Sequence, residues 1–557
     1  MKNFPLRFLT MLIVSFVFLL SLPLAILLHT GWWLVVLSGA LMVVGLLDLR
    51  QTKRALRRNY PILAHFRFFF ESIRPEIRQY FLENDTEATP FSRSQRSLVY
   101  QRAKEQIDKR PFGTQLNVYE TAYEWINHSI MPAKVTTYDF RIEIGAHPDS
   151  GCTQPYSASV FNISAMSFGA LSANAIRALN SGARQGGFMH DTGEGSISAY
   201  HREHGGDLVW EIGSGYFGCR NPDGSFSEQK FIENACTPQV KMIELKLSQG
   251  AKPGHGGVLP AAKVTIEIAT TRGVNIGQDC VSPASHSAFS TPIEMLQFIA
   301  RLRTLSGGKP TGFKLAVGHP WEFFAIVKAM LATGITPDFI VIDGGEGGTG
   351  AAPVEFTDHV GSPLQEALLL VHNTLVGASL RDRIKLGASG KIISAFDIAR
   401  TLALGADWCN SARGFMFALG CIQSQSCHTD RCPTGVATQD PVRQRALVVL
   451  DKAERVTHFH QNTLKALANL IAAAGLEHPS DLKPHHLVRR VSPNQVKLVS
   501  TLLPFLMPGQ LLNASQLSRL PPVFGYYWPQ AQADSFQALT HPEGSADTVA
   551  VLQVQAA

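Results

Sequence analysis

Phe339-Ile340-Val341-Ile342-Asp343 runs directly into Gly344-Gly345-Glu346-Gly347-Gly348-Thr349-Gly350. Five strand-forming residues that end in a carboxylate and a glycine-rich loop read as a parallel strand opening onto a ligand. The loop is expected to leave backbone N–H groups open to that ligand. The same unit recurs in both directions along the chain. Further candidate strands lie at 160–164, 208–212, 240–247, 312–317, 384–386 and 408–411, with helical stretches at 172–185, 292–305 and 323–333. Such alternation argues for a parallel sheet. The strand count is close to eight, and glycine loops follow strand after strand. An open doubly wound sheet would keep its phosphate loop at one switch point. The expectation is therefore an α/β fold with a closed (β/α)8 TIM barrel.

In such a barrel the chemistry belongs to loops at the C-terminal ends of the strands. Ser164-Ala165-Met166-Ser167-Phe168-Gly169 offers small residues that let a flat ring approach the backbone. His190-Asp191-Thr192-Gly193-Glu194-Gly195 sets one acid among glycines, and the run 244–254 carries Gln249 and Lys252. Lys314 sits near a strand end, where a cation suits the anionic form of a reduced flavin. An ion pair inside the barrel explains Lys314 equally well, and Glu194 also reads as a structural cap. Gly387-Ala388-Ser389-Gly390 and Ser411-Ala412-Arg413-Gly414 come late, where barrels bind phosphate through glycine amides and a helix N-terminus. Arg413 adds charge-assisted hydrogen bonds there. Any single loop is explained by an ordinary tight turn; together with Lys314 they point to a flavin. The candidate cofactor-binding residues are Ala165, Met166, Ser167, Gln249, Lys314, Gly345, Gly387, Gly390, Arg413 and Gly414.

Cys421, Cys427 and Cys432 follow the last strand, with five and four residues between them. Soft thiolates crowded on one loop suit an iron–sulfur cluster, and three ligands suit one with three irons. Zinc is the competing reading, with His428 as a fourth ligand. Eight cysteines in 557 residues do not make a disulfide scaffold.

The charged fraction is only 17% and the hydrophobic fraction 45%, part of it concentrated near the N-terminus. An uncharged run from Phe8 to Leu28, the turn His29-Thr30-Gly31, and a second run from Trp32 to Leu47 predict two transmembrane helices. Lys2 and Arg7 precede them; Arg50, Lys53, Arg54, Arg57 and Arg58 follow. Positive charge on both flanks predicts a multi-pass hairpin in the inner (cytoplasmic) membrane, with the catalytic domain cytoplasmic. A cleaved signal peptide fits less well, because the first run is long for one. The net charge of +6 is mild, and no arginine-rich arm or aromatic-studded basic stripe argues for nucleic acid. The expected organisation is a two-helix hairpin over 1–50, a helical neck and linker over 51–150, the barrel with its cysteine loop over 151–440, and C-terminal helices and tail over 441–557. Residues 451–474 are patterned as a helix.

Five strings resemble the FMN-binding synthase domain of glutamate synthases: 164–172 (SAMSFGALS), 191–195 (DTGEG), 244–254 (ELKLSQGAKPG), 343–353 (DGGEGGTGAAP) and 420–439 (GCIQSQSCHTDRCPTGVATQ). They fall in the family's order, and 71–80 (ESIRPEIRQY) looks like its short membrane-tethered bacterial members. The resemblance implies FMN in the barrel and a 3Fe–4S cluster on Cys421, Cys427 and Cys432. It implies hydride reduction of 2-iminoglutarate, made from 2-oxoglutarate and ammonia. Glu194, Lys252 and Arg272 fall where the family surrounds that substrate. The chain departs from the family at His255 and Val258, which stand where it has Glu and Gln, and at Ser282-Pro283-Ala284-Ser285-His286-Ser287, where its motif is usually rich in Pro and His. This chain alone is not expected to release ammonia from glutamine, so ammonia is expected free or from a separate glutaminase subunit. Ferredoxin or a separate reductase subunit is the expected electron donor, since no GxGxxG fingerprint joins a strand to a helix. Three other readings fit these residues: a flavin oxidoreductase of different substrate, an IMP-dehydrogenase-like barrel with a nucleophilic loop cysteine, and a non-catalytic flavin-binding redox sensor.

Overall fold

The computed structural model describes residues 8–51, 54–86 and 89–538. Lys2, Arg7 and Lys53 of the expected flanking charges lie outside these residues. The chain divides into two compact units, Met1–Thr89 and Pro90–Ala557.

In the first unit, helices Leu9–Leu28 and Trp32–Arg50 are long and apolar enough to cross a membrane, with mean hydropathies of 2.8 and 2.0. An N-terminal signal sequence passes the same test. Gly31, at φ 81°, makes the left-handed turn between them. The helices approach closely at Gly39, where a β-carbon would meet Phe18 Cε2 at 3.0 Å. Asp48, buried in the second helix, accepts from the Ile62 N–H at 3.0 Å and pairs with His65 Nε2 at 2.9 Å. This pins the start of helix Leu63–Ile77, which exposes Phe66, Phe69 and Phe70.

The second unit is built on a closed parallel barrel of eight strands. These are β1 (Phe161–Ile163), β2 (His190–Asp191), β3 (Leu208–Ile212), β4 (Val240–Lys246), β5 (Thr311–Leu315), β6 (Phe339–Asp343), β7 (Lys385–Ser389) and β8 (Trp408–Ser411). β8 returns to β1 with Asn410 opposite Asn162. The sequence shows seven of the eight. β2 escapes because only two residues pair, and a two-residue strand has no period to read.

Side chains alternate across a strand, so one face of each strand fills the barrel. Val209, Met242, Phe339, Val341 and Trp408 form one apolar cluster with Ile144 and Ala158. The last two belong to the antiparallel hairpin Arg141–Ile144/Tyr156–Ser159, which closes the N-terminal end. Gly387 makes room for this plug: its β-carbon would lie 2.5 Å from Trp408 Cε2. Two residues further along β3, β4 and β6, the same face carries Glu211, Glu244 and Asp343. The barrel is thus apolar at its base and charged toward its mouth.

Helix Val449–Ala473 packs along Ala173–Gly186, the helix that follows β1. There His460 stacks on Phe188 at 3.9 Å and bonds Ser159 Oγ through Nε2 at 3.0 Å. Burial holds His190 and His460 at about 3 and His286 and His372 at about 4. These folded values lie below the ordinary 6.5. Between that value and 3–4 the unfolded chain therefore binds more protons, and stability is lost as pH falls through this window. Each such histidine contributes a slope approaching about 1.4 kcal/mol per pH unit. The thermal midpoint is expected to fall from pH 6.5 to 4.5, and His460→Gln to make the fall shallower. An unchanged pH profile in that variant would contradict the assignment.

Candidate active site and cysteine loop

Four charged side chains meet inside the barrel. Lys314 is 4% exposed; its ammonium pairs with Glu211 and, at 3.3 Å, with Glu244. Of the two sequence readings of Lys314, the ion pair within the barrel is present. Carboxylate oxygens of Asp191, Glu211 and Glu244 lie within 4.8 Å of one another. One lysine cannot neutralise three carboxylates. Burial, then Asp191 and Asp343, pushes Glu244 well above the ordinary carboxylate range, and burial raises Asp191 despite Lys314. The group keeps protons. Sequence reading missed these acids; the visible signal is Glu244 and Lys246 continuing, at period two, the strand face that begins with the apolar Val240 and Met242.

Above this layer sits Glu194, on the loop after β2. Its carboxylate pairs with Lys246 at 3.1 Å, and Lys246 also donates to Gln249 Oε1 at 2.7 Å. Burial would raise Glu194, but Lys246, then Arg272 and Lys252, hold it below the ordinary range. Glycines give it space: a β-carbon on Gly213 would stand 2.8 Å from Glu194 Oε2, and one on Gly257 would strike Oε1.

Lys252 and Arg272 come from the long excursion between β4 and β5. Lys252 is 2% exposed and makes no ion pair among the described residues; burial lowers its pKa and Glu194 partly restores it. Arg272 donates to Ser167 Oγ at 3.3 Å and to the Phe168 carbonyl at 3.0 Å, and lies over the Phe217 ring at 5.3 Å. Its Nε is buried without a partner. Glu194, Lys252 and Arg272, scattered over 79 positions of sequence, therefore share one site.

The candidate cofactor residues divide. Ala165, Met166 and Ser167 form the loop after β1, packed on Gly193, whose β-carbon would lie 2.7 Å from the Ser167 nitrogen. The loop after β6 is less open than expected. Gly344 donates to Ser389 O and Gly345 to Ser362 O, both at 2.8 Å, because the loop folds back on its neighbours. Gly250 donates to Asp343 Oδ2 at 2.8 Å. Gly387 is not in a loop but inside β7, where it clears Trp408; only Gly390 lies past the strand end. Gly348 faces open space in which a β-carbon would meet only Arg413 Nη2, at 3.6 Å. Arg413 and Gly414 start the helix Arg413–Leu419 after β8.

The cysteine loop lies on this same end. A β-carbon on Gly350 would touch Cys427 Cβ at 3.4 Å. Gln439 Nε2 donates to the Gly169 and Leu171 carbonyls at 3.1 and 2.9 Å, and Ser172 N to Val436 O at 2.9 Å. All eight cysteines are free thiols. The Cys432 pKa is lowered: burial opposes this, but the Ala437 N–H, the Thr434 hydroxyl and the N–H groups of Thr434 and Val436 outweigh it. The Gln423 N–H reaches Cys421 Sγ at 3.5 Å. Gln423, Gln425 and Asp430 hold left-handed backbone (φ 58°, 56° and 61°), strain that the surrounding contacts sustain. The segment expected as neck supports the loop: the Tyr100 hydroxyl donates to Cys421 O at 2.6 Å, and Gln423 Nε2 to Phe91 O at 3.1 Å. A tetrahedral zinc would draw its sulfurs to about 4 Å of one another. Among the described residues these three are not gathered within 4.8 Å, and His428 is exposed. The donor set fits a multi-iron group better than one ion.

Comparison with known proteins agrees with this geometry. The conserved region of glutamate synthase matches residues 131–477. The glutamate synthase large subunit-like protein YerD of Bacillus subtilis (strain 168) is 38% identical over 494 residues, covering 82% of this chain and 94% of that protein. The archaeal glutamate synthase (NADPH) of Methanocaldococcus jannaschii is 34% identical, over 58% of this chain and 60% of that protein. The glutamate synthase (NADPH) large chain of B. subtilis is 35% identical over half of this chain, which spans only 18% of that protein. With its closed parallel barrel and this sequence relationship, the chain belongs to the glutamate synthase family of oxidoreductases.

Proposed function

We propose that the barrel mouth is the active site of an FMN- and iron–sulfur-dependent oxidoreductase reducing 2-iminoglutarate, formed from 2-oxoglutarate and ammonia. The observation that carries this reading is a charge count. Lys246, Lys252 and Arg272 surround the single carboxylate of Glu194. Two positive charges stand in excess, the complement of a dicarboxylate. The unpaired Lys252 ammonium and the free Arg272 Nε would bind its carboxylates and fix its orientation. Glu194 stays ionised at neutral pH, so it accepts a hydrogen bond from a protonated imine rather than supplying a proton.

Ala165, Met166 and Ser167 would line the flavin, with Arg413 beside the open face of Gly348 for its phosphate. Cys421, Cys427 and Cys432 would hold a 3Fe–4S cluster. Bound FMN supplies hydride chemistry and the cluster one-electron transfer. The two apolar helices support a membrane tether, and a ferredoxin or separate reductase subunit is the electron donor this reading implies. Val258 favours a second reading, a flavin oxidoreductase of different substrate. It pairs with Val281 next to Gly257, against Glu194, and puts an apolar side chain where the family has an amide.

The test is anaerobic reoxidation of the reduced protein. Rapid reoxidation by 2-oxoglutarate plus ammonium, and by neither alone, is expected. Reoxidation by monocarboxylic 2-oxo acids but not by that pair would replace the first reading with the second.

A further inference from the structure

Lys263 is a buried cation for which the mouth chemistry has no use. It ends the turn Ala261–Lys263 in the excursion between β4 and β5 and is 3% exposed. Its ammonium donates to the Ala437 carbonyl at 3.1 Å and to the Ala170 carbonyl at 3.4 Å. Among the described residues it forms no ion pair. Burial lowers its pKa, and the negative groups that oppose this and favour the charged form are Asp430, Cys427 and Cys432. Ala437 links the two directly, since its carbonyl receives Lys263 while its N–H points at the Cys432 sulfur. Ala170 belongs to the turn after β1, on the side of the candidate flavin loop. One ammonium thus ties that turn to the cysteine loop and brings a positive charge to its sulfurs.

We propose that Lys263 is a positioning residue that tunes the redox group held by the three cysteines, raising its reduction potential. A fixed buried charge acts in low dielectric, where its field is weakly screened. Gaining one electron makes a thiolate-bound iron group more negative, and a neighbouring cation stabilises that state over the oxidised one. The proposal rests on the iron–sulfur reading above.

The experiment uses the full chain and its Lys263→Met, Lys263→Gln and Lys263→Arg variants. Iron and acid-labile sulfide are measured first, then an EPR-monitored redox titration. Both neutral variants are expected to keep their iron and lose at least tenfold in the reduction equilibrium, a fall of 59 mV for one electron. Lys263→Arg is expected to recover most of it. Gln can still donate to a carbonyl, so a fall in that variant separates charge from tethering. Iron retained with an unchanged potential in either neutral variant overturns the proposal. Iron lost from both but kept by Lys263→Arg also overturns it, making Lys263 an assembly residue. An iron-free wild-type protein overturns the underlying reading instead.

Discussion

Replacing Lys314 by Met is expected to cost about 3–5 kcal/mol of stability, the range for removing one partner of a buried ion pair. Lys314 is the cation that Glu211 and Glu244 share inside the barrel. Without it their carboxylates are buried among themselves and Asp191, and at least one more must take a proton. The penalty therefore depends on pH: it shrinks as the pH is lowered and the acids are neutralised. A chain of this size is best followed by its thermal midpoint at a fixed scan rate, since large proteins often unfold irreversibly. The midpoint should fall by several degrees at pH 8 and by less at pH 5.5. Adding Glu211→Gln should restore part of it. A Lys314→Met protein as stable as wild type at pH 8 would show that the ion pair contributes nothing.

Lys252→Met and Arg272→Met are expected to act on turnover instead. Each leaves one carboxylate of a bound dicarboxylate without its charged donor in a buried site, a loss of about 2–5 kcal/mol. The ratio kcat/KM should drop by roughly thirtyfold to a few thousandfold, at 1.4 kcal/mol per decade. Selectivity is the sharper readout. A monocarboxylic 2-oxo acid keeps the carboxylate beside its keto group and lacks the distal one. The variant at the cation that holds the distal carboxylate should therefore lose much more on 2-oxoglutarate with ammonium than on that acid, and the other variant should lose similarly on both. Equal losses on the two substrates in both variants would contradict the pairing of one cation with each carboxylate. The thermal midpoint should barely move in Lys252→Met, because that side chain completes no ion pair among the described residues, and should fall in Arg272→Met, which also loses the hydrogen bonds to Ser167 and to the Phe168 carbonyl.

The barrel was readable because its pattern is local. Glycine loops after apolar strands and helices of ordinary length repeat along the chain, and helix Pro292–Leu305 begins and ends where its periodicity does. The spacing of the three cysteines is a short-range property and named them directly, whereas Glu194, Lys252 and Arg272 were named by the family resemblance. Convergence was not readable. Lys252, Lys263 and Arg272 lie on the 64-residue excursion 247–310, and nothing in their order shows that two of them meet Glu194 while the third turns to the cysteine loop. Glycines mislead for a related reason. Gly387 and Gly345 look like ligand-cradling residues, yet one clears a tryptophan and the other spends its N–H on Ser362. A glycine records that space is needed, not what fills it. Tyr100 and Gln423, which join the neck to the cysteine loop, are separated by more than 300 residues and carry no signature at all.

The most direct measurement is the cofactor content of full-length protein purified without oxygen: FMN, iron and acid-labile sulfide per chain, with EPR of the oxidised sample. One FMN, three irons and the signal of an oxidised three-iron cluster are expected, with Cys427→Ser losing the iron but keeping the flavin. Protein that binds neither group, or a single zinc on the cysteines in place of iron, would contradict a redox site shared between the barrel mouth and the cysteine loop.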